Sequence, residues 1–173
     1  MKIQKAEAEQ LSAVQELYYS IIDGVGDATD SVLWKKDIYP SPAFLDNSIR
    51  NGELVIGSEG EKIIAAMVLN HQYNEEYNRF DWPTEAEDSE ITVIHALGVH
   101  PAYTGKGYAR QLVQFAIDSA RENRQKVIRL DVLKGNAAAE KLYTGMGFQN
   151  LHTLPMYYED TGWKDFELYE YRL

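Results

Sequence analysis

Val99-His100-Pro101-Ala102-Tyr103-Thr104-Gly105-Lys106-Gly107-Tyr108-Ala109-Arg110 is the stretch from which the rest of the chain can be read. The apolar run Ile91 to Val99 leading into it has the composition of a strand. After it, Ala109, Leu112, Val113, Ala116, Ile117 and Ala120 recur at the spacing of one helical face. The stretch is therefore a glycine-rich turn from strand to helix. Glycines let backbone amides converge on one point, and a helix N-terminus adds partial positive charge, so such a turn can hold a phosphate or diphosphate. Lys106 adds a full charge. A tight turn that holds nothing is the alternative. A Walker A loop is excluded because Tyr108, not a sequence Lys-Ser or Lys-Thr, follows Gly107. The dinucleotide pattern Gly-x-Gly-x-x-Gly fails at Arg110, which stands where its third glycine belongs.

Working outward, Lys2 to Ala6 predicts a short strand, and Leu11, Val14, Tyr18, Ile21 and Ile22 predict an amphipathic helix stopped by Asp23-Gly24. Residues 24–42 are rich in Gly, Asp, Pro and aromatic residues, a loop able to shape a pocket. A helix from Pro42 to about Arg50 follows, with Ser41 as N-cap and Pro42 in its first position. Glu53 to Ser58 and Lys62 to Asn70 read as a hairpin turned at Glu59-Gly60-Glu61. His71 to Glu90 is a long acidic connection. Val127 to Leu133 predicts a strand, Asn136 to about Thr144 a helix ended by Gly145 and Gly147, and Phe148 to Leu154 and Asp165 to Leu173 two more strands.

With 173 residues, 45% of them hydrophobic, the chain suits one domain over 1–173 with a sizeable core. Its 17 basic against 27 acidic side chains give a net charge of −10, the wrong sign for a nucleic-acid partner. With no cysteine there is no thiolate nucleophile, disulfide or Cys-ligated metal. The four histidines, at 71, 95, 100 and 152, include no His-x-x-x-His pair, so no metal site is expected. No apolar run approaches the roughly 20 residues of a membrane span, and the N-terminus carries no secretory pattern, so no membrane partner and a cytoplasmic location are expected.

A second informative stretch runs Asn136-Ala137-Ala138-Ala139-Glu140-Lys141-Leu142-Tyr143, closed by Gly147-Phe148. Asn136 and Tyr143 lie seven residues apart, about two helical turns, so both project from nearly one face. Asn136 is also placed to cap that helix, and Tyr143 by itself reads as a core or rim aromatic before it reads as a catalytic acid. Together, Leu97-Gly98-Val99, Gly107-Tyr108-Ala109, Asn136, Ala139, Tyr143 and Gly147-Phe148 resemble, in kind and order, the acetyl-coenzyme A binding core of the GNAT family of N-acetyltransferases. One departure is Thr104, which stands where that family usually has Arg or Gln.

The resemblance implies an α+β fold, a three-layer α/β/α sandwich with a mixed, mainly antiparallel central sheet and helices on both faces. It implies acetyl-CoA as cofactor. Backbone groups of Leu97, Gly98 and Val99 would meet the pantetheine arm and the thioester carbonyl, and Thr104, Gly105, Lys106, Gly107, Tyr108 and Ala109 the diphosphate, with Asn136, Ala139 and Tyr143 completing the groove. Tyr143 would protonate the departing thiolate. The amine must lose a proton, and the candidate bases are His95, which titrates near neutrality, and then Glu90; His95 reads equally as a hydrogen-bonded sheet residue. The acidic run Glu75, Glu76, Asp81, Glu85, Glu87, Asp88 and Glu90 would attract a cationic amine if folded over the site, and is otherwise a solvated loop. Trp34, Tyr39, Tyr73, Tyr77 and Trp82 are candidate walls. The expected function is acetyl transfer to a primary amine by direct attack, with a small-molecule acceptor favoured over a protein N-terminus or lysine. A non-catalytic acyl-CoA sensing module is the rival. The aromatic C-terminal segment Phe166, Leu168, Tyr169 and Tyr171 is a candidate sheet edge for homodimer pairing.

Overall fold

Successive side chains of a strand point to opposite faces of its sheet, so a strand that is apolar at every position must be covered on both sides. The run Leu54-Val55-Ile56 and the run Ile63 to Val68 have this character, and the computed structural model, which describes residues 1–25 and 34–173, covers them accordingly. Val55, Ala65 and Met67 pack with one group of helical residues, whereas Leu54, Ile56, Ala66 and Val68 pack with another on the opposite face.

Seven strands form one sheet in the order β1-β2-β3-β4-β5-β7-β6. They are β1 (Lys2–Lys5), β2 (Leu54–Glu59), β3 (Lys62–Asn70), β4 (Ile91–Val99), β5 (Val127–Leu133), β6 (Gln149–Tyr158) and β7 (Gly162–Arg172). Only β4 and β5 run parallel; every other neighbouring pair is antiparallel. Helices α1 (Leu11–Val25) and α2 (Pro42–Arg50) cover one face, and α3 (Tyr108–Glu122) with α4 (Ala137–Gly145) covers the other. This is the three-layer, mainly antiparallel arrangement expected. No described helix is long and apolar enough to cross a membrane.

The helix α2 begins where its cap predicts, with the Ser41 hydroxyl oxygen accepting from the Phe44 amide at 3.1 Å. Three expectations need correction. Helix α1 runs through Asp23-Gly24 to Val25. Gly24 is held there by tertiary contact, since a Cβ on it would lie 2.3 Å from Cγ of Pro101. Strand β6 passes through Pro155 to Tyr158 instead of ending at Leu154. Proline lacks an amide donor, but β6 is the outermost strand, where one missing donor costs no ladder bond on its free side. The C-terminal strand β7 is not an edge, because it lies between β5 and β6. Of the residues expected at that edge, Phe166, Leu168 and Tyr169 are buried inside the molecule.

Two irregularities prepare the site. Strands β4 and β5 pair only from Ile91 to Val93 and from Val127 to Arg129, and then part. On its other side β4 carries a bulge: Ala66 pairs with Gly98 and Val68 with His95, so β4 spends one more residue than β3. Ala96 takes φ +50°, an uncommon conformation for a residue with a Cβ. The buried Tyr18 hydroxyl of α1 donates to the Ala96 carbonyl at 2.7 Å and ties the bulge down. At the last paired position, buried Arg129 meets buried Glu170 at 3.0 Å and donates to the Thr84 carbonyl at 2.7 Å. Its guanidinium also lies 4.2 Å from the Trp82 ring, which anchors the long acidic connection to the body of the fold.

Candidate active site

The turn that opens α3 is built from backbone. Gly105 and Gly107 adopt φ +75° and +79°, the left-handed region that favours glycine, and Gly107 caps α3 without a side chain. Among the described residues, the amides from Gly105 to Arg110 have no backbone acceptor, so consecutive donors are left for a ligand at the positive end of a helix dipole. Thr104 turns away, its hydroxyl donating to the Pro101 carbonyl at 2.9 Å. Two lysines flank Tyr103 of this turn, with Lys106 Nζ 4.9 Å and Lys62 Nζ 5.3 Å from the centre of its ring.

Where β4 and β5 part, a cavity of about 340 Å³ opens. Ile94, Leu97, Val132, Asn136 and Ala139 line it from the strands and α4. Gly98 and Val99 remain paired with β3, and Gly98 must be glycine for packing, since a Cβ would meet Ile21 Cδ1 at 2.7 Å. The Asn136 side-chain oxygen caps α4 by accepting from the Ala139 amide at 3.2 Å, which sets the direction in which Tyr143 projects two turns later. Tyr143 is buried, its ring 5.3 Å from Phe148 in an edge-on arrangement, and it lines the cavity with a hydroxyl that makes no hydrogen bond among the described residues. Burial raises its pKa, with the charge of Asp131 adding to the effect, so the phenol stays protonated.

Asp131, one of the residues that sequence reasoning missed, faces this phenol across the cavity. The hydroxyls of Tyr77 and Tyr158 both donate to its Oδ1, at 2.7 and 3.0 Å, and Oδ2 has no partner among the described residues. Burial raises its pKa, partly offset by the two tyrosine hydrogen bonds. A raised carboxylate beside a protonated phenol is a base and an acid held in one small space.

The two bases expected from sequence are placed differently. His95 lines the cavity, but its Nε2 lies 2.9 Å from both Asn70 Oδ1 and the Gln72 carbonyl. Both are acceptors, so Nε2 carries the proton and clamps the exit of β3. Burial pushes its pKa down to about 4, against a smaller upward pull from the Gln72 bond. Glu90 does not reach the cavity; it pairs with Lys126 at 2.7 Å on the outside, and that hydrogen bond lowers its pKa.

The far end of the cavity is aromatic and acidic. Trp34, Tyr39 and Phe44 form a chain of rings at 6.1 and 5.7 Å, and Tyr73, Tyr158 and Asp160 complete the wall. Of the aromatic residues expected there, Tyr77 and Trp82 instead pack beneath, the Trp82 indole donating to the Tyr77 carbonyl at 3.0 Å. None of the carboxylates from Glu75 to Glu90 lines the cavity. The acidic character comes from Asp131 and from Asp160, which is 4% exposed at the turn between β6 and β7. Burial raises the Asp160 pKa, moderated by nearby backbone amides and by Lys35.

The family model described as acetyltransferase (GNAT) matches residues 18–148. The chain belongs to that family. Among curated GNAT relatives, N-alpha-acetyltransferase RimI of Mycobacterium tuberculosis is 39% identical over 69 residues, 40% of this chain and 42% of that protein. The L-methionine sulfoximine/L-methionine sulfone acetyltransferase of Salmonella typhimurium is 35% identical over 75 residues, 43% of either chain. The matched stretches thus span less than half the length of these two relatives. A GNAT-family acetyltransferase from Streptococcus agalactiae superposes with a TM-score of 0.82 at 16% identity, covering 99% of this chain and 95% of its own. A Salmonella typhimurium structure solved with its cofactor acetyl-CoA gives 0.71 at 21% identity, covering 100% and 94%. At such identities these two likenesses establish the fold.

Proposed function

We propose that this chain transfers the acetyl group of acetyl-CoA to a primary amine by direct attack. The observation that carries the reading is the fork between β4 and β5, which opens a cavity lined by Asp131 and Tyr143, together with the unpaired amides at the start of α3, the helix that follows β4. These features fit acetyl-CoA: amides from Gly105 to Arg110 with Lys106 suit its diphosphate, and the unzipped edge of β4 around Leu97 offers main-chain groups to its extended arm. When bound, acetyl-CoA supplies the thioester whose carbonyl carbon the amine nitrogen attacks, forming the N–C bond as the C–S bond breaks.

The remaining work falls to the chain. Asp131 Oδ2 takes the proton that the amine must lose, and burial makes this carboxylate a stronger base than an exposed one. Tyr143 gives its hydroxyl proton to the departing sulfur and is restored by the proton that Asp131 took from the amine; the same burial that keeps the phenol neutral also disfavours a bare thiolate there. His95 holds the β3 exit in place through Asn70 and Gln72, a positioning duty instead of the proton transfer first expected of it.

The test is thiol release from acetyl-CoA over a broad panel of amines, run beside calorimetry with acetyl-CoA alone. Amine-dependent release together with binding heat is expected. Binding heat with no release on any amine would leave a sensing module in its place.

A further inference from the structure

We infer that the acceptor is a small amine with two cationic centres and no carboxylate: the reacting amine faces Asp131, and a second ammonium faces Asp160 within the aromatic rings. This rests on the acetyltransferase reading for its reactive end only. The argument starts from what lines the cavity. It holds two carboxylates, and no lysine or arginine lines it among the described residues. Neither Asp131 nor Asp160 forms an ion pair among the described residues, although Asp160 is almost wholly buried. A buried carboxylate without a counter-charge is costly, and a cationic ligand removes that cost on binding.

A second, independent observation points to a ligand in the same space. Tyr143 is 6% exposed, and its hydroxyl, without a partner among the described residues, lines the same cavity. The walls suit the charge as well. Trp34, Tyr39 and Tyr158 line the same space, and the π-face of an aromatic ring attracts ammonium groups and repels carboxylates. Backbone amides at Asp160 and Thr161 and the charge of Lys35 moderate the Asp160 carboxylate, but Lys35 forms no ion pair with it among the described residues.

The same chemistry says what is turned away. An α-amino acid would place its carboxylate against Asp131, Asp160 or a ring face, with no cation in the lining to receive it. A neutral peptide offers a single ammonium at its N-terminus and leaves Asp160 without a counter-charge. A short aliphatic diamine meets both limits.

The experiment compares four acceptors on the intact protein: an α,ω-diaminoalkane, the monoamine of equal chain length, the corresponding ω-amino acid, and a neutral tripeptide amide with a free N-terminus. Calorimetry without cofactor measures binding, and thiol release from acetyl-CoA measures turnover. The diamine should bind, and show kcat/KM, at least about tenfold better than the monoamine, with the amino acid last, and Asp160→Asn should erase the diamine's advantage. Equal or better use of the monoamine, amino acid or peptide by the wild-type protein overturns the inference, whatever the variant does. So does an unchanged diamine preference in Asp160→Asn. Selective diamine binding without turnover would uphold the ammonium site while removing the acetyltransferase reading; turnover without selectivity would do the reverse.

Discussion

Two regions of the candidate site are made by different means. The region of α3 and α4 is largely backbone: freed amides, two glycines in left-handed conformation, a bulge and a helix cap. The other region is the aromatic and acidic wall of the cavity, brought from Trp34, Tyr39, Tyr73, Asp131, Tyr158 and Asp160, which lie in separate parts of the chain. Backbone devices need particular residues at close spacing, so they leave a signature in a short stretch of sequence. Side-chain assemblies leave none.

The sharpest way to break this comparison is to remove a charge from the side-chain region. Asp131→Asn should lower kcat by about 10²–10⁴-fold, the usual worth of a general base, while calorimetric affinity for acetyl-CoA changes little. The base must be deprotonated to work, and burial raises the Asp131 pKa, so wild-type kcat should fall with decreasing pH at a value above that of an ordinary carboxylate. That limb should survive His95→Gln, because a histidine with a pKa of about 4 is already neutral there. A limb lost with His95 would return the base to the histidine. Tyr143→Phe should cost about 10²-fold in kcat, with acetyl-CoA binding within about twofold of wild type.

In the backbone region the effect should fall on binding instead. Gly107→Ala meets no atom within 4 Å of the new Cβ, so its cost is the left-handed backbone alone, about 1–2 kcal/mol. Acetyl-CoA affinity should drop by about tenfold with kcat at saturation retained; a fall in kcat instead would mean that the turn takes part in chemistry. The smallest effect belongs to Glu90→Gln, which should leave kcat within about twofold in the same assay, since Glu90 faces Lys126 on the outside.

The sheet was legible in the sequence because apolar runs and turn residues are local. The Ser41 cap, the hairpin at Gly60 and the α3 face all fall where their spacing places them. Strand β6 was cut short at Pro155 because proline signals an end unless the strand is known to be an edge, and edge status depends on the whole topology. Asp131 sits in the strand pattern Val127 to Leu133, and nothing nearby marks it as more than a break in that pattern. Its meaning comes from Tyr77 and Tyr158, 54 and 27 residues away. A second charged residue after Arg129 in a strand that is otherwise apolar was the one available hint.

The hydroxyl of Tyr18 has a consequence for anyone dissecting this chain. It braces the kink at Ala96 from the opposite layer, so the stretch bearing the recognisable motifs is not a portable cassette. A fragment cut to those motifs would keep every signature residue and lose the strut that keeps the reaction centre in shape.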